Sequence, residues 1–274
     1  MHKISFPTTW RFFDQARQEK WLIEILHDEE ALLVLNKPAG LPVIPERYHP
    51  EWPCLQSIAN AQLGSRVFVV HRIDMETSGV VLFAKNAETH RELCRQFAAH
   101  EVEKTYWALV QGEVEKDEQT IALPLSPHLQ KPGVTIVNKK GKPALTHCRV
   151  LERFRGYTWV EVKPQTGRQH QIRVHLKALG HPLLVDAMYA NTEAFFLSSL
   201  KSNYRRKAGE AEPPLIGRLT LHAQQLSLVL PQSQARLTFT APVPKDFKST
   251  LQHLRKYAAL SRANLNFIRP VASK

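Results

Sequence analysis

The stretch His71-Arg72-Ile73-Asp74-Met75-Glu76-Thr77-Ser78-Gly79 is the most informative part of this sequence. It lies between two apolar runs, Val67–Val70 and Val80–Ala84, that are typical of strands. The spacing therefore predicts a loop that presents Asp74 at the start of a strand, with Arg72 beside it. Loops on rigid scaffolds carry many catalytic residues, but an aspartate in a turn can equally accept hydrogen bonds from nearby backbone N–H groups. The loop alone leaves both interpretations open.

The segments around this loop predict a mixed fold. Further strands are predicted at Leu32–Leu35, Thr105–Val110, Thr146–Leu151, Thr158–Val162 and Leu219–Leu230. Helical spacing runs from Asn86, the predicted N-cap, to His100. Many short strands with few helices indicate a mixed α/β (α+β) domain rather than a regular βαβ series.

A second helix is predicted over Arg168–Leu179, ending before Gly180 and Pro182. Its apolar positions at i, i+4 and i+7 form one stripe that we expect to be buried. Another face carries His170, Arg173 and Lys177 and predicts a cationic ridge.

The charge of the chain indicates a polyanionic partner. The 274 residues carry a formal net charge of +12, and Lys245–Lys274 alone contributes +6 from seven cations and one acid. Further basic stretches run over Lys131–Arg155 and Lys201–Lys207. Each phosphate that such a surface neutralises releases counterions and so favours nucleic acid. A merely solvated basic surface is the alternative.

Other features indicate a cytoplasmic protein that does not enter the membrane. No segment approaches the roughly 20 consecutive apolar residues of a membrane-spanning helix, and Met1–Lys20 lacks the apolar core of a secretory signal. Cys54, Cys94 and Cys148 are far apart and odd in number, which fits a reducing compartment. Because no exposed coiled-coil pattern occurs, we expect a monomer.

No cofactor or metal is predicted. The sequence has no G-x-G-x-x-G, and Gly141-Lys142 is followed by Pro143 where a P-loop needs Ser or Thr. His170 and His175 are five residues apart, about 140° around a helix, so they cannot share an ion as an i, i+4 pair does. A cysteine–histidine nucleophile pair stays open, although nothing marks one cysteine as activated.

The features that remain belong together. They are the Asp74 loop, Lys104-Thr105-Tyr106, the run Thr166–Arg173 and a cationic surface. Singly, each has an ordinary structural explanation: Tyr106 as a core aromatic, for example, and Arg173 as a surface cation. Their occurrence together and in this order is far more specific.

With these motifs the chain resembles the RluA-type family of RNA pseudouridine synthases, over roughly Ile23 to Val243. The matching stretches are Asn36-Lys37-Pro38-Ala39-Gly40, His71-Arg72-Ile73-Asp74 through Thr77-Ser78-Gly79, Lys104-Thr105-Tyr106, Gly167-Arg168-Gln169-His170-Gln171-Ile172-Arg173-Val174-His175, Gly180-His181-Pro182 and Leu221-His222-Ala223. Ile73 replaces the more usual leucine, a volume-conserving change that we expect to be neutral.

The resemblance implies an isomerase that breaks the N-glycosidic bond of a uridine in structured RNA (rRNA or tRNA) and rejoins the base through carbon. It implies a largely antiparallel sheet with flanking helices and a central basic cleft. Asp74 would be the catalytic aspartate, Arg173 would pair with it, and Tyr106 would stack on the target base and assist removal of its C5 proton. The remaining RNA-binding candidates are Arg72, which would fill the space of the flipped nucleotide, Lys104, Arg168 and His170.

The resemblance also suggests a division of the chain. Residues 1–20 would be an N-terminal extension, 21–244 the catalytic domain with an insertion at 191–217, and 245–274 a basic C-terminal segment. Two other functions stay open: a non-catalytic RNA-binding protein with the same fold, and a glycosidase that releases free uracil. Whether Asp74 acts as nucleophile or as acid–base catalyst is also open, because either route uses one carboxylate.

Overall fold

The computed structural model describes residues 9–15, 17–201, 203–204, 209–230 and 233–260. Parts of the predicted N-terminal extension, of the 201–207 basic cluster and of the basic C-terminal segment lie outside these residues. The chain divides into two compact units, Met1–Tyr106 with Leu221–Pro242 and Trp107–Thr220 with Val243–Lys274.

Strands dominate the described residues. They are β1 (Thr9–Asp14), β2 (Glu19–Asp28), β3 (Leu32–Lys37), β4 (Phe68–Val69), β5 (Ser78–Ala84), β6 (Glu103–Gln111), β7 (Glu118–Ile121), β8 (Leu125–Pro127), β9 (Thr135–Val137), β10 (Thr146–Phe154), β11 (Tyr157–Pro164), β12 (Leu221–Val229) and β13 (Arg236–Thr240). The helices are α1 (Leu55–Leu63), α2 (Ala87–Ala98), α3 (Gln171–Ala178) and α4 (Lys245–Tyr257), with a 3-10 turn at Leu197–Ser199. The predicted mixed, largely antiparallel fold is confirmed, whereas the basic cleft stays a prediction.

The first unit is a sheet with the strand order β1-β2-β3-β5-β12, in which β4 also pairs with β5 and β13 with β12. Every residue of β5 is buried, which matches its continuous apolar sequence. The pairs are antiparallel except where β5 and β12 run parallel, at Ser78↔His222 and Gly79↔Ala223. Ser78 and Gly79 are the last two residues of the Asp74 loop.

Helix α2 forms where the sequence predicts it. The Asn86 side chain accepts a hydrogen bond from the Thr89 N–H at 2.8 Å, so it caps the helix. Leu93 is fully buried in the core of the first unit.

The second unit contains the antiparallel strands β7, β10 and β11, with the β8–β9 hairpin beside them in sequence. Helix α4 begins the predicted basic C-terminal segment, and its apolar face enters the core of this unit. Phe247, Leu251 and Leu254 are all buried, with the i, i+4, i+7 spacing of a packed helix. Within the predicted insertion, Phe195 and Ile216 are buried in the same core and their backbones are hydrogen-bonded.

Two details of the predicted second helix were wrong. Helix α3 begins at Gln171 and not at Arg168, because His170 adopts a left-handed backbone (φ 52°) that a helix cannot continue through. The cationic ridge does not exist as predicted, since His170 precedes the helix and Arg173 is buried in an ion pair with Asp186.

Candidate active site

The Asp74 loop is anchored by two of its side chains, His71 and Ile73. Ile73 is buried in the apolar core of the first unit, and the Nε2 atom of His71 accepts a hydrogen bond from the Leu82 N–H at 3.0 Å. Arg72 is exposed and Asp74 is partly exposed. Arg72 and Asp74 thus alternate with two anchored side chains and are more exposed than Ile73.

A buried lysine links this loop to the preceding Asn36–Gly40 motif. The Lys37 Nζ atom donates to the carbonyl oxygens of Pro38 at 2.9 Å, Leu41 at 2.6 Å and Met75 at 2.6 Å. Lys37 is fully buried, and the Gly40 N–H also donates to the Met75 carbonyl at 3.0 Å. These bonds hold the turn after β3 against the residue that follows Asp74.

The Thr77-Ser78-Gly79 end of the loop is shaped by β12. The Ser78 hydroxyl and the His222 Nδ1 atom are 2.9 Å apart, with both residues buried. Gly79 has φ +117°, and a Cβ atom there would lie 2.1 Å from the Ala223 carbonyl oxygen. Only glycine permits this approach of the two backbones. The Ser-Gly pair therefore fixes where the loop ends.

His71 is held in its neutral form. Burial, and secondarily the positive charge of Lys104, lowers the pKa of His71 to about 3. The imidazole stacks on the Phe97 ring with centroids 4.8 Å apart. Because the neutral ring accepts the Leu82 N–H through Nε2, its proton resides on Nδ1. His71 is thus a structural support of the loop.

The pKa of Tyr106, on β6, is affected by the negative charge of Asp74. Its pKa is raised well above the usual range, first by burial and then by the negative carboxylate of Asp74. The phenol therefore stays protonated at neutral pH and can donate a hydrogen bond. Burial likewise lowers the pKa of Lys104, two residues earlier.

In the second unit, hydrogen bonds of the Gly167–His175 motif fix the turn that precedes α3. The Gln171 Oε1 atom accepts from the Arg168 N–H at 3.0 Å and from the Thr166 hydroxyl at 2.7 Å. Its Nε2 atom donates to the Thr146 hydroxyl at 2.8 Å and to the Leu145 carbonyl at 3.0 Å. Gln171 thereby replaces the usual N-cap side chain and ties α3 to the start of β10.

Arg173 forms a buried, two-point ion pair. Its Nε and Nη2 atoms donate to the two carboxylate oxygens of Asp186 at 2.8 and 2.9 Å. Asp186 Oδ1 also accepts the N–H groups of Met188 and Tyr189, each at 3.0 Å. The guanidinium lies 4.8 Å from the centre of the Tyr189 ring. Such a planar, two-point arrangement fixes the direction of the guanidinium.

His170 is oriented by the same tyrosine. The Tyr189 hydroxyl accepts the Thr135 N–H at 2.9 Å and lies 2.9 Å from the His170 Nδ1 atom. The Tyr189 hydroxyl thus links the imidazole of His170 to the backbone of β9. Arg168 is partly exposed, and its Nε atom donates to the Pro143 carbonyl at 3.1 Å.

Comparison with known proteins identifies the family. The sequence profile described as RNA pseudouridylate synthase matches residues 31–178, which include Asp74, Tyr106 and Arg173. The chain belongs to the RNA pseudouridine synthases. It is therefore an isomerase that acts on RNA.

Individual relatives agree with this assignment. The chain is 36% identical to ribosomal large subunit pseudouridine synthase D of Pseudomonas aeruginosa, over 89% of this chain and 77% of that protein. It is 38% identical to the dual-specificity RNA pseudouridine synthase RluA of Pasteurella multocida, over 80% of this chain and 93% of that protein. Among solved structures, human RNA pseudouridylate synthase domain containing 4 matches with a TM-score of 0.65 and 26% identity, covering 84% of this chain and 92% of that chain.

The structure of this pseudouridine synthase places each site residue predicted from the sequence. Asp74, Arg72, Lys104 and Tyr106 belong to the first unit, where the charge of Asp74 acts on Tyr106. Arg168, His170 and Arg173 belong to the second, where Tyr189 contacts both of the latter two. The predicted pairing of Arg173 with Asp74 joins residues of different units and stays a prediction.

Sequence reasoning missed the partners of these residues in the synthase. Asp186 directly follows the buried apolar run Leu183–Val185. Asp74 likewise lies next to an apolar segment, so an acid beside such a segment is a pattern that could have indicated Asp186. Tyr189 carries no such signal.

The described part of the synthase contains no cluster of three or more histidine, cysteine or acidic side chains placed to hold a metal ion. No helix within it is long and apolar enough to cross a membrane.

Proposed function

We propose that this protein converts uridine to pseudouridine in structured ribosomal or transfer RNA, with Asp74 as the catalytic carboxylate. The names of the relatives support this choice of RNA: one names the large ribosomal subunit and another a dual specificity. Since both RNA classes occur in the cytoplasm, the proposal places the enzyme there. It also includes that the enzyme acts as a monomer.

The reaction needs one anion and no net oxidation or reduction. The bond from N1 of uracil to C1′ of the ribose breaks, the base turns, and a bond from C5 to C1′ forms. C5 then loses its proton and N1 gains one, so that atoms and electrons balance. Asp74 acts in the first step by bonding to C1′, by stabilising the positive charge on C1′, or by removing a proton from the ribose.

One observation carries the assignment of Asp74. The side chain of Asp74 is partly exposed on a loop whose neighbouring residues are held by Lys37, His71 and Ser78, and its charge acts on the partly buried Tyr106. A catalytic anion has to be reachable and immobile, and this loop provides both conditions.

Tyr106 serves as a stacking surface and hydrogen-bond donor. Its raised pKa keeps the phenol protonated, which argues against a phenolate that removes the C5 proton. The aromatic face offers an everted uracil the contact that it loses on leaving the RNA stack.

Arg173 holds the carboxylate of Asp74 in this proposal. Asp186 already occupies the Nε and Nη2 atoms of the guanidinium, so its orientation is set before RNA binds. The exposed Arg72 fills the space of the everted nucleotide, while Lys104, Arg168 and His170 contact the RNA.

The direct test is tritium release from RNA labelled at C5 of uridine, using Asp74→Asn and the control Glu76→Gln. Both variants convert a carboxylate of the same loop into an amide. We expect Asp74→Asn to bind RNA and release no tritium, while Glu76→Gln reacts as the unaltered protein does. Equal rates for Asp74→Asn and the unaltered protein would contradict the proposal.

Two further results of this assay separate the alternatives. A pure RNA-binding protein would form no pseudouridine even with Asp74 intact. A glycosidase would release free uracil, which chromatography of the reaction mixture detects.

A further inference from the structure

A stack of planar side chains runs from the core of the first unit to its surface. It consists of Trp21, Arg17, Trp52 and His49, with Tyr48 next to its outer end. Trp21 is buried, and its ring stacks on Phe12 with centroids 6.1 Å apart. The Arg17 guanidinium carbon lies 5.5 Å from the Trp21 ring centre and 4.4 Å from that of Trp52. None of these residues is used by the site around Asp74.

The outer part of the stack is built by a tight turn. Pro50 and Glu51 are its central residues, and the Trp52 N–H donates to the His49 carbonyl at 3.1 Å. Pro at the second position of a β-turn is favourable because its φ is already fixed. The turn brings the rings of His49 and Trp52 to 4.1 Å and within 5° of parallel. Glu51 holds the imidazole through a 3.2 Å contact with Nδ1.

The surface end of the stack is open to solvent. Tyr48 is 67% exposed, and the His49 side chain is 49% exposed. A ring that is already held, as His49 is by Trp52 and Glu51, loses little conformational freedom when another ring covers it. Exposed and immobile rings are characteristic of surfaces on which nucleobases stack.

The loop that carries Tyr48, His49 and Trp52 is anchored beside the Asp74 loop. Leu55 N–H donates to the Pro42 carbonyl at 2.8 Å, and Gln56 N–H donates to the Val43 carbonyl at 3.0 Å, which closes the loop at its base. Leu41, just before this base, accepts from Lys37, as does Met75. The eight residue-to-residue steps from Leu41 to His49 span at most ~28 Å, about the length of eight stacked base pairs.

The charges of the loop favour a base over a phosphate as the contact. Within residues 45–53, Arg47 is the one cation and Glu46 and Glu51 are the two acids, so the loop offers no net positive charge. Affinity at this place would come from ring stacking, which depends little on salt.

We propose that His49, at the outer end of this stack, and the neighbouring Tyr48 bind an unpaired base of the substrate RNA outside the catalytic position. The inference rests on the proposed function only in taking RNA as the ligand. It assigns the loop to RNA affinity and not to the chemistry at Asp74.

The test measures binding in the Asp74→Asn background, so that turnover plays no part. The probes are a single-stranded RNA of about 12 nucleotides, within the usual range of single-strand sites, and a blunt duplex of the same length. The variants are Tyr48→Ala/His49→Ala, which removes the rings, and Tyr48→Phe/His49→Phe, which keeps them. Phe13→Ala, at an exposed aromatic of the same unit outside the stack, is the control.

We expect the double alanine variant to bind the single strand at least fivefold more weakly, with an unchanged salt dependence. The duplex affinity should stay the same, and the double phenylalanine and Phe13→Ala variants should bind as the parent does. Equal binding by the double alanine variant overturns the inference, and so does an equal loss in the phenylalanine or Phe13→Ala variants. Thermal unfolding of each variant confirms that the fold is retained.

A second measurement is independent of these substitutions. Single-stranded RNA that carries a photoreactive base should cross-link to residues 45–53 of the parent protein, and cross-links confined to other segments would overturn the inference. If cross-links and binding behave as expected while no RNA is isomerised, the proposed function fails and the stacking surface stands. If isomerisation occurs and the alanine variant binds normally, only the stacking surface fails.

Discussion

Asp186 accepts hydrogen bonds from both Nε and Nη2 of Arg173, at 2.8 and 2.9 Å, in a setting where both side chains are buried. A buried guanidinium is tolerated only with such a partner, and the pair fixes its direction. The arginine that the family resemblance assigns to catalysis is thus oriented by a residue outside the familiar motifs.

Replacing Asp186 should therefore impair both stability and activity. Breaking a buried ion pair from one side costs about 3–5 kcal/mol, so Asp186→Ala should lower the unfolding free energy by several kcal/mol. Asp186→Asn should unfold less readily than Asp186→Ala yet lose at least tenfold in kcat/KM. Denaturant unfolding and tritium release measure the two effects.

The control is Asp246→Asn, which removes a similar two-point pair with Arg218, at 2.7 and 2.8 Å, from a partly exposed position. This variant should cost about 1 kcal/mol or less and leave the isomerisation rate unchanged. An equal loss of activity in both variants would show that Asp186 acts only through stability.

Lys37→Met should release the Asp74 loop. The substitution keeps most of the side-chain volume but removes the donor for three carbonyl groups, including that of Met75. A buried acceptor that loses its donor costs up to about 1–3 kcal/mol. We therefore expect the free energy of unfolding to fall by a few kcal/mol and kcat to be strongly reduced.

Lys85→Met is the matched lysine control in the same unit, since Lys85 forms an ion pair with Asp28 at the surface. It should change the unfolding free energy by less than about 1 kcal/mol and spare activity. Normal turnover by a folded Lys37→Met protein would contradict the proposed role of Lys37.

Gly79→Ala should disrupt the contact between β5 and β12. The added Cβ atom would lie 2.1 Å from the Ala223 carbonyl oxygen, and the φ of +117° is also unfavourable for alanine. We expect a loss of about 3 kcal/mol or more, because backbone strain adds to overpacking. Gly64→Ala has a positive φ of 62° but open space around it, and so should cost about 1 kcal/mol. Thermal or urea unfolding distinguishes the two.

The neutral state of His71 makes stability depend on pH. Its pKa is about 3 in the folded protein, against 6.5 for a histidine surrounded by water, so the unfolded chain binds the proton more readily between these values. The contribution of His71 to stability is therefore complete above pH 6.5 and declines as the pH falls towards 3. One such group gives a slope approaching about 1.4 kcal/mol per pH unit, at about 25 °C.

His71→Gln should flatten this slope, because glutamine can accept the Leu82 N–H without titrating. Urea unfolding at several pH values between about 4 and 7 measures the effect. His100→Gln, at an exposed position, should leave the slope as it is. An identical pH profile for His71→Gln and the unaltered protein would mean that His71 is not the titrating group.

Local sequence patterns predicted the elements that depend on local chemistry. Asn86 caps α2, and the apolar run of β5 is buried. Helix α3 begins later than predicted because His170 has a left-handed backbone and the Gln171 side chain binds the turn before it. The spacing of apolar residues does not reveal such side-chain hydrogen bonds.

The buried face of α4 illustrates a different failure. From its composition, residues 245–274 were predicted only as a basic segment. The helical spacing of Phe247, Leu251 and Leu254 would have predicted the buried face. The Arg173–Asp186 pair and the His49–Trp52 stack are different again. They depend on how particular side chains meet after folding, and the charge of a residue does not reveal its partner.

The proposed isomerisation of uridine depends above all on the carboxylate of Asp74. Its decisive test maps pseudouridines across ribosomal and transfer RNA from cells that carry either the unaltered protein or the Asp74→Asn variant at equal abundance. We expect one or more defined uridines that are isomerised only with the unaltered protein. Identical maps in every RNA pool would contradict the role of Asp74.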